Sequence, residues 1–197
     1  MATRLIEAPI GPIELEAEGG SLIRLTMLPK AVKTKTTNES RGHAEDEAVL
    51  DEAARQLGEY FGAKRRVFEL PLKPDGTPFR LRVWQALREI PYGERRSYGD
   101  LAARLKTAAR AVGGACGANP IGIVVPCHRV VGGQGWLGGF SGGDGAATKR
   151  FLLGLESSGP LFAHDQESTD REIAHAGTHD RHQGQGRRHV SGLPRHT

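Results

Sequence analysis

Two neighbouring residues, Cys127 and His128, carry side chains capable of nucleophilic chemistry, and they lie within the stretch VVPCHRVVGG. The thiolate is the reactive form of cysteine, and a nearby histidine can accept the thiol proton directly or through a water molecule. The flanking valines predict a buried strand, in which adjacent side chains point to opposite faces, so the spacing favours a water relay. A bare Cys–His pair is nevertheless more often an inert buried thiol beside a surface histidine.

Two further features could bind a ligand near this pair. The segment GQGWLG, residues 133–138, has the glycine spacing of a dinucleotide-binding loop, but GFSGGDG follows and prevents the helix that such a loop needs. Its glycines therefore indicate either a loop that wraps closely round a flat ligand or a plain hairpin. Arg110 lies among small residues in AARAVGG, where its long cation could project towards a nucleic acid or simply be solvated.

The composition of the 197-residue chain restricts where it works. Two cysteines, Cys116 and Cys127, are too few for a disulfide framework and fit a reducing compartment. No stretch approaches the roughly 18 apolar residues of a membrane span, and the N-terminus lacks the apolar core of a signal peptide. We therefore expect no membrane partner and a cytoplasmic location, or a nuclear one in a eukaryote.

Positive charge is concentrated in the middle of the chain. Residues 1–79 hold 11 Lys and Arg against 13 Asp and Glu, whereas residues 80–150 hold 11 against 4. Such a basic segment predicts a polyanionic partner, with nucleic acid the first candidate. A solvated basic face fits the charge alone equally well.

The patterns along the chain predict two domains and a tail. Residues 3–28 predict three short strands, residues 48–61 have the apolar spacing of a helix, and a Pro- and Gly-rich connection follows. We therefore expect an N-terminal α/β domain over residues 1–76 and a second domain over 77–159. Residues 160–197 hold six of the eight histidines and few apolar residues, which predicts a disordered tail. Its histidines could bind metal loosely, but they show no fixed ligand spacing.

Helical patterns surround the Cys127 strand in the second domain. FRLRVWQALREI predicts one helix, and Ser97 followed three residues later by Asp100 is a capping-box signature for the next. A very short link leads to TAARAVGGACGAN, and two short helices joined tightly in a basic region predict a helix-turn-helix. A Gly-rich loop over residues 132–145 and a last helix, ATKRFLLGLE, come after the strand.

Several motifs together resemble one protein family. PCHRV with Asn119 and Pro120 ahead of it, ARAVGG before these and GFSGG after them are similar to the O6-alkylguanine-DNA alkyltransferases. The similarity runs from about Phe79 to Glu156 and extends more weakly to the N-terminal strands. It implies an α+β fold, with a small N-terminal antiparallel sheet and helix of ribonuclease-H-like type and a mostly helical domain of winged helix-turn-helix type.

The resemblance also implies a reaction. The protein would transfer an alkyl group such as methyl from O6-alkylguanine in DNA, and also from O4-alkylthymine, to its own Cys127. The damaged base would be flipped out of double-stranded DNA bound through the minor groove. Because the thioether product is stable, each molecule would react once, without a cofactor, and we expect it to act as a monomer.

By the same resemblance, the candidate residues fall into three groups. Among the catalytic residues, Cys127 accepts the alkyl group, His128 relays the thiol proton, Glu156 orients His128, Asn119 braces the turn before Cys127, and Tyr98 protonates the departing guanine. The expected DNA contacts are Arg110, which would fill the gap left by the flipped base, and Tyr98, Ala111, Gly114, Ser97 and Arg129. The expected walls of the base pocket are Cys116, Gly122, Val125, Phe140 and Ser141.

The sequence departs from the family pattern in five places, and three of them concern the pocket and metal binding. Phe140 stands where tyrosine is common, which removes one hydrogen bond to the base. Gly122 stands where some relatives have proline, which predicts a roomier pocket that tolerates bulky alkyl groups. The N-terminal cysteines that bind zinc in some members are absent, so we expect no structural metal.

Two other functions stay open on the residues alone. A helix-turn-helix protein could recognise alkylated DNA without repairing it, although relatives of that kind replace the cysteine. A cysteine hydrolase could use Cys127 and His128, but it would turn over and would not need the basic helices.

Overall fold

The N-terminal segment folds as the predicted meander. Strands β1 (Ala2–Ile6), β2 (Ile13–Glu18) and β3 (Ser21–Met27) pair antiparallel in the order β1-β2-β3. Alternate residues of the central strand, Ile13, Leu15 and Ala17, are fully buried, as expected for a sheet with one face on the core. The structure is a computed structural model that describes residues 1–33, 43–133 and 136–157.

Helix α1 (Ala44–Phe61) covers the buried face of this sheet and confirms the helix predicted over residues 48–61. Its fully buried apolar side chains are Leu50, Ala53, Leu57 and Tyr60, and their spacing places them on one face. Acidic residues occupy the first turn, where they complement the positive end of the helix dipole.

Strand β3 also joins the N-terminal sheet to the rest of the chain. The Leu25 N–H donates to the Pro120 carbonyl at 2.8 Å, and the Gly143 N–H donates to the Met27 carbonyl at 3.0 Å. The segments that contain Pro120 and Gly143 both lie beside Cys127 in the structure. Strand β3 therefore lies against the part of the chain that carries the candidate chemistry.

The predicted helices of the second half are present. They are α2 (Pro78–Arg88), α3 (Tyr98–Leu105), α4 (Ala109–Gly117) and α5 (Ala146–Glu156). The capping box at the start of α3 is confirmed, because the Ser97 hydroxyl accepts from the Asp100 N–H and the Asp100 carboxylate accepts from the Ser97 N–H. Only three residues separate α3 from α4, which gives the expected helix-turn-helix.

The strand predicted around Cys127 is wrong. Cys127–Arg129 form a single 3₁₀ turn, closed by the Arg129 N–H on the Pro126 carbonyl at 3.0 Å, and Val124 lies in a turn before it. Only β5 (Val130–Val131) is extended, and it pairs parallel with β4 (Arg96–Ser97). The valines before Pro126 are buried by tertiary packing, and Pro126 has no N–H for a strand ladder.

In the three described ranges, no helix is both long and apolar enough to cross a membrane. The predicted tail over residues 160–197 lies outside the described residues, and the boundary at residues 76–77 stays a prediction.

Candidate active site

His128 and Glu156 form the central contact of the site. The 3₁₀ turn places the His128 ring inside the protein, where Nε2 lies 2.8 Å from Oε1 of Glu156 at the end of α5. An ionised carboxylate only accepts hydrogen bonds, so Nε2 carries the proton and Nδ1 has an open lone pair. Nδ1 is buried and has no hydrogen-bond partner among the described residues.

The ionisation of this pair follows from its surroundings. Burial would raise the pKa of Glu156, but hydrogen bonds from His128 and Arg129 outweigh it and lower that pKa to about 2. Burial lowers the pKa of His128 below its ordinary value of 6.5, although Glu156 partly opposes this effect. At neutral pH the site therefore holds an ionised Glu156 and a neutral His128, which is the protonation state of a base.

Besides its contact with His128, Glu156 receives four hydrogen bonds from three other residues. Arg129 donates from Nε to Oε2 at 2.8 Å and from a second nitrogen to Oε1 at 2.9 Å. The Gly93 N–H donates to Oε2 at 3.2 Å, and the Tyr60 hydroxyl of α1 donates to Oε1 at 2.8 Å. These hydrogen bonds fix the position of the Glu156 carboxylate, and the carboxylate in turn fixes the tautomer and orientation of His128.

Arg129 corrects one prediction. We expected it to contact DNA, but the residue is buried and its remaining terminal nitrogen donates to the Ile90 carbonyl at 2.6 Å. Every guanidinium nitrogen is thus used inside the protein, because the buried Glu156 charge needs a paired cation. Arg129 therefore supports the site from inside the protein.

Cys127, at the start of the 3₁₀ turn, is largely buried. Burial raises the pKa of its thiol, and a hydrogen bond from Asn119 and the charge of Lys149 act in the opposite direction. Asn119 also donates to the Val125 carbonyl at 2.8 Å and accepts from the Ile121 N–H at 3.1 Å, so it links two points of the turn before Cys127. A thiol protonated at neutral pH must lose its proton during the reaction, so it needs a base.

Lys149 and Tyr98 flank the two thiols. Lys149 is buried in α5, donates to the Val130 carbonyl at 2.6 Å, and places its ammonium 5.8 Å from the centroid of the Tyr98 ring. Burial raises the pKa of Tyr98 to about 12, with smaller contributions from Cys116 and Cys127, so its hydroxyl stays a proton donor. Gly138, at a φ of +77°, lets the loop lie against the Tyr98 ring, since a Cβ there would be 2.9 Å from a ring carbon.

A cavity of about 780 Å³ opens from Cys127 to the surface between the helix-turn-helix and the loop that follows β5. The predicted residues Ser97, Tyr98 and Arg110 line it on the helical side, and Arg110 is exposed at this position. Other predicted residues that line it are Cys116, Phe140 and Ser141, and the loop adds an exposed tryptophan, Trp136. Ala111 and Gly114 lie on α4 outside this lining.

A second cavity, of about 160 Å³, adjoins the first at Cys127. Gly122 lines this cavity, and a Cβ on Gly122 would be 2.6 Å from the terminal methyl of Met27, so the expectation of a roomier pocket stays a prediction. The side chain of Met27, the last residue of β3, fills the space next to Gly122. Val125, expected in the pocket wall, lines neither cavity and is buried in the core.

Two protein-family models match this chain. The family model described as "6-O-methylguanine DNA methyltransferase, DNA binding domain" matches residues 78–158, and the one described as its ribonuclease-like domain matches residues 1–74. The chain belongs to the methylated-DNA–protein-cysteine methyltransferase family. The predicted α+β class, with a ribonuclease-like and a helical DNA-binding part, is thereby confirmed.

Curated members of this methyltransferase family are similar over nearly their whole length. The protein of that name from Mycobacterium tuberculosis strain H37Rv is 46% identical over 158 residues, which cover 79% of this chain and 92% of the relative. The one from Methanosarcina acetivorans is 42% identical and is covered to 97%. A crystal structure of M. tuberculosis OGT in complex with DNA superposes with a TM-score of 0.68 at 44% identity, covering 79% of this chain and 92% of that one.

Proposed function

We propose that Cys127 is the residue of this methyltransferase that accepts the alkyl group, with His128 as the base that takes its proton through water. Members of this family repair DNA by direct transfer of an alkyl group to a protein cysteine, and this chain does so too. One observation carries the assignment. His128 directly follows Cys127, its Nε2 is bound by Glu156, and its Nδ1 therefore has a free lone pair inside the protein.

The proposed transfer is a single displacement. The Cys127 proton passes through a water molecule to Nδ1 of His128, and the imidazolium that forms is stabilised by the ionised Glu156. The sulfur attacks the alkyl carbon, the bond between that carbon and the guanine oxygen breaks, and Tyr98 gives a proton to the departing guanine. The proton held by His128 returns through solvent to Tyr98, so the products are a thioether and an ordinary guanine.

The support for this scheme is the protonation state of each group. A neutral His128 can take a proton, and Tyr98 with a pKa of about 12 retains one to give. Burial lowers the pKa of Lys149, and in its charged form Lys149 favours the developing thiolate of Cys127. The thioether product is stable, because a thiolate bound to an alkyl carbon is not readily displaced by water, so we expect one reaction per molecule and no cofactor.

We further propose that the alkylated guanine reaches Cys127 by flipping out of the double helix. The larger cavity connects the buried thiol with the surface that carries Arg110 and the α4 glycines, so a flipped base can enter it while the helix-turn-helix stays on the DNA. Small residues on α4 suit a narrow minor groove, and Arg110 is long enough to occupy the vacated position. A cavity of about 780 Å³ has room for a pyrimidine as well as a purine, so the proposal includes O4-alkylthymine. We also propose that the protein acts as a monomer.

A labelled duplex separates this function from its two alternatives. We would mix the protein with DNA that carries O6-methylguanine with a radiolabelled methyl group and digest the product. Label on the peptide with Cys127, at one methyl per protein molecule, is the expected result. Tight binding without transfer would indicate a recognition module, and release of labelled small products with turnover would indicate a hydrolase.

A further inference from the structure

We propose that Met27, in the N-terminal sheet, sets the size of the alkyl group that can be transferred to Cys127. The inference rests on the proposal that Cys127 is the acceptor, and it assigns a specificity role to a residue outside the DNA-binding part of the chain. Met27 ends β3, and its side chain reaches the small cavity next to the thiol.

The small cavity lies where the distal atoms of a long alkyl group would go. It shares Cys116, Cys127, Phe140 and Ser141 with the larger cavity, and its other wall comes from β3 and from Asn119, Pro120, Gly122 and Gly142. In a displacement at carbon, the sulfur, the carbon and the leaving oxygen align, so further carbon atoms project sideways. With guanine in the larger cavity, the adjoining space is the one left for them.

The terminal methyl of Met27 occupies a notch made by two glycines. A Cβ on Gly122 would be 2.6 Å from that methyl, and one on Gly142 would be 2.4 Å from it. The backbone of Met27 is held by the Gly143 N–H at 3.0 Å, while its side chain has three rotatable bonds. The anchored backbone and adaptable tip together make Met27 the movable wall of the cavity.

The size of the cavity makes this wall decisive. Its volume is about 160 Å³, and apolar protein cavities of roughly 150 Å³ take up a benzene molecule. A benzyl group therefore lies at the limit of what fits beside Met27. One methylene more or less in a tight apolar pocket changes selectivity by about 10-fold or more.

The test compares O6-benzylguanine with O6-methylguanine as free bases. For each variant, the second-order rate constants of protein alkylation by the two bases give one benzyl-to-methyl ratio, which is independent of the fraction of folded protein. Met27→Ala should raise this ratio about 10-fold or more, and Met27→Leu should restore a ratio close to that of the parent. Val67→Ala truncates an exposed side chain on another surface and should leave the ratio unchanged.

A second variant tests the notch itself. Gly122→Ala should push the Met27 tip into the small cavity and lower the benzyl-to-methyl ratio. Combining it with Met27→Ala should abolish that effect, because the two residues act through one contact. A ratio that does not rise in Met27→Ala, or a Gly122→Ala effect that persists without Met27, overturns the inference.

Peptide mass mapping of the adduct separates the two proposals. If the adduct is on Cys127 but the benzyl-to-methyl ratio of Met27→Ala equals that of the parent, only the proposal on Met27 is rejected. An adduct on any other residue of the parent protein rejects Cys127 as the acceptor, and the specificity proposal falls with it.

Discussion

Tyr60 and Glu156 are joined by a buried hydrogen bond of 2.8 Å, although 96 residues separate them along the chain. The acceptor, Oε1 of Glu156, is the same oxygen that contacts Nε2 of His128. A helix of the N-terminal segment thus holds the carboxylate on which the proposed base depends. This contact gives the N-terminal segment a direct part in positioning the chemistry.

Removal of the Tyr60 hydroxyl should slow transfer and change its pH dependence. In Tyr60→Phe the Glu156 charge loses one donor and interacts more strongly with His128, so the pKa of His128 should rise towards its ordinary value. Because only neutral His128 can take the thiol proton, the rate should begin to fall at a higher pH than in the parent. Rate constants for O6-methylguanine in duplex DNA, measured from pH 5 to pH 8, test this.

Tyr92→Phe is the matched control for that experiment. The Tyr92 hydroxyl donates to the Leu155 carbonyl at 3.0 Å, next to Glu156, but not to the carboxylate itself. Either change should cost about 1 kcal/mol or more of unfolding free energy. Only Tyr60→Phe should shift the pH profile, and equal shifts in both variants would leave Tyr60 with a purely structural part.

Glu156 should also make the fold sensitive to acid. Its pKa is about 2 in the folded protein against an ordinary value of 4.5, so the folded chain binds this proton less readily than the unfolded chain. The stabilisation is therefore complete above pH 4.5 and is lost as the pH falls towards 2, by about 3 kcal/mol at most. Denaturant unfolding at pH 5 and pH 3 should show a smaller loss in Glu156→Gln than in the parent, and identical losses would contradict this.

Lys149→Met should suppress thiol reactivity. The Lys149 charge lowers the pKa of both Cys127 and Cys116, although burial dominates and raises the pKa of Cys116 to about 12. Without the Lys149 charge the Cys127 thiolate is less populated, so the rate constant of alkyl transfer should fall. Arg150→Met removes an exposed cation from the same helix and serves as the control, with little change expected.

Arg110→Ala should matter only when the base is in a duplex. If Arg110 occupies the gap left by a flipped base, its loss should slow repair of duplex DNA while the reaction with free O6-methylguanine base stays close to that of the parent. Arg55, an exposed arginine already paired with Glu52 and Glu59, provides the control substitution to Ala. An equal loss on both substrates would remove the flipping role.

Local patterns were sufficient for the elements of the fold, since each depends on near neighbours. The signal lies within a few residues for three of these elements. They are the capping box of Ser97 and Asp100, the strand meander and the helix that ends at Glu156. The strand prediction around Cys127 was wrong because it also relied on near neighbours alone. Its valines are buried by contacts from other segments, and their burial resembles that of a strand although Pro126 starts a 3₁₀ turn.

The long-range contacts of the site had no comparable signal. Nothing beside Tyr60 or Met27 in sequence indicates that one holds the active-site carboxylate and the other fills the space over Gly122. The family resemblance places Arg129 among the DNA contacts, but the buried Glu156 carboxylate binds its guanidinium inside the protein. Tertiary placement decides the role of such side chains, and the local sequence does not encode it.

The most direct test of the account is the intact mass of the protein after reaction. A large excess of duplex DNA with O6-methylguanine should add one methyl group and no more, and peptide mapping should place it on Cys127, while Cys116, the other buried thiol, stays unmodified. Cys116→Ala should still accept the methyl group, and Cys127→Ala should not. An unchanged mass of folded protein, or a methyl group on Cys116, would contradict the central claim.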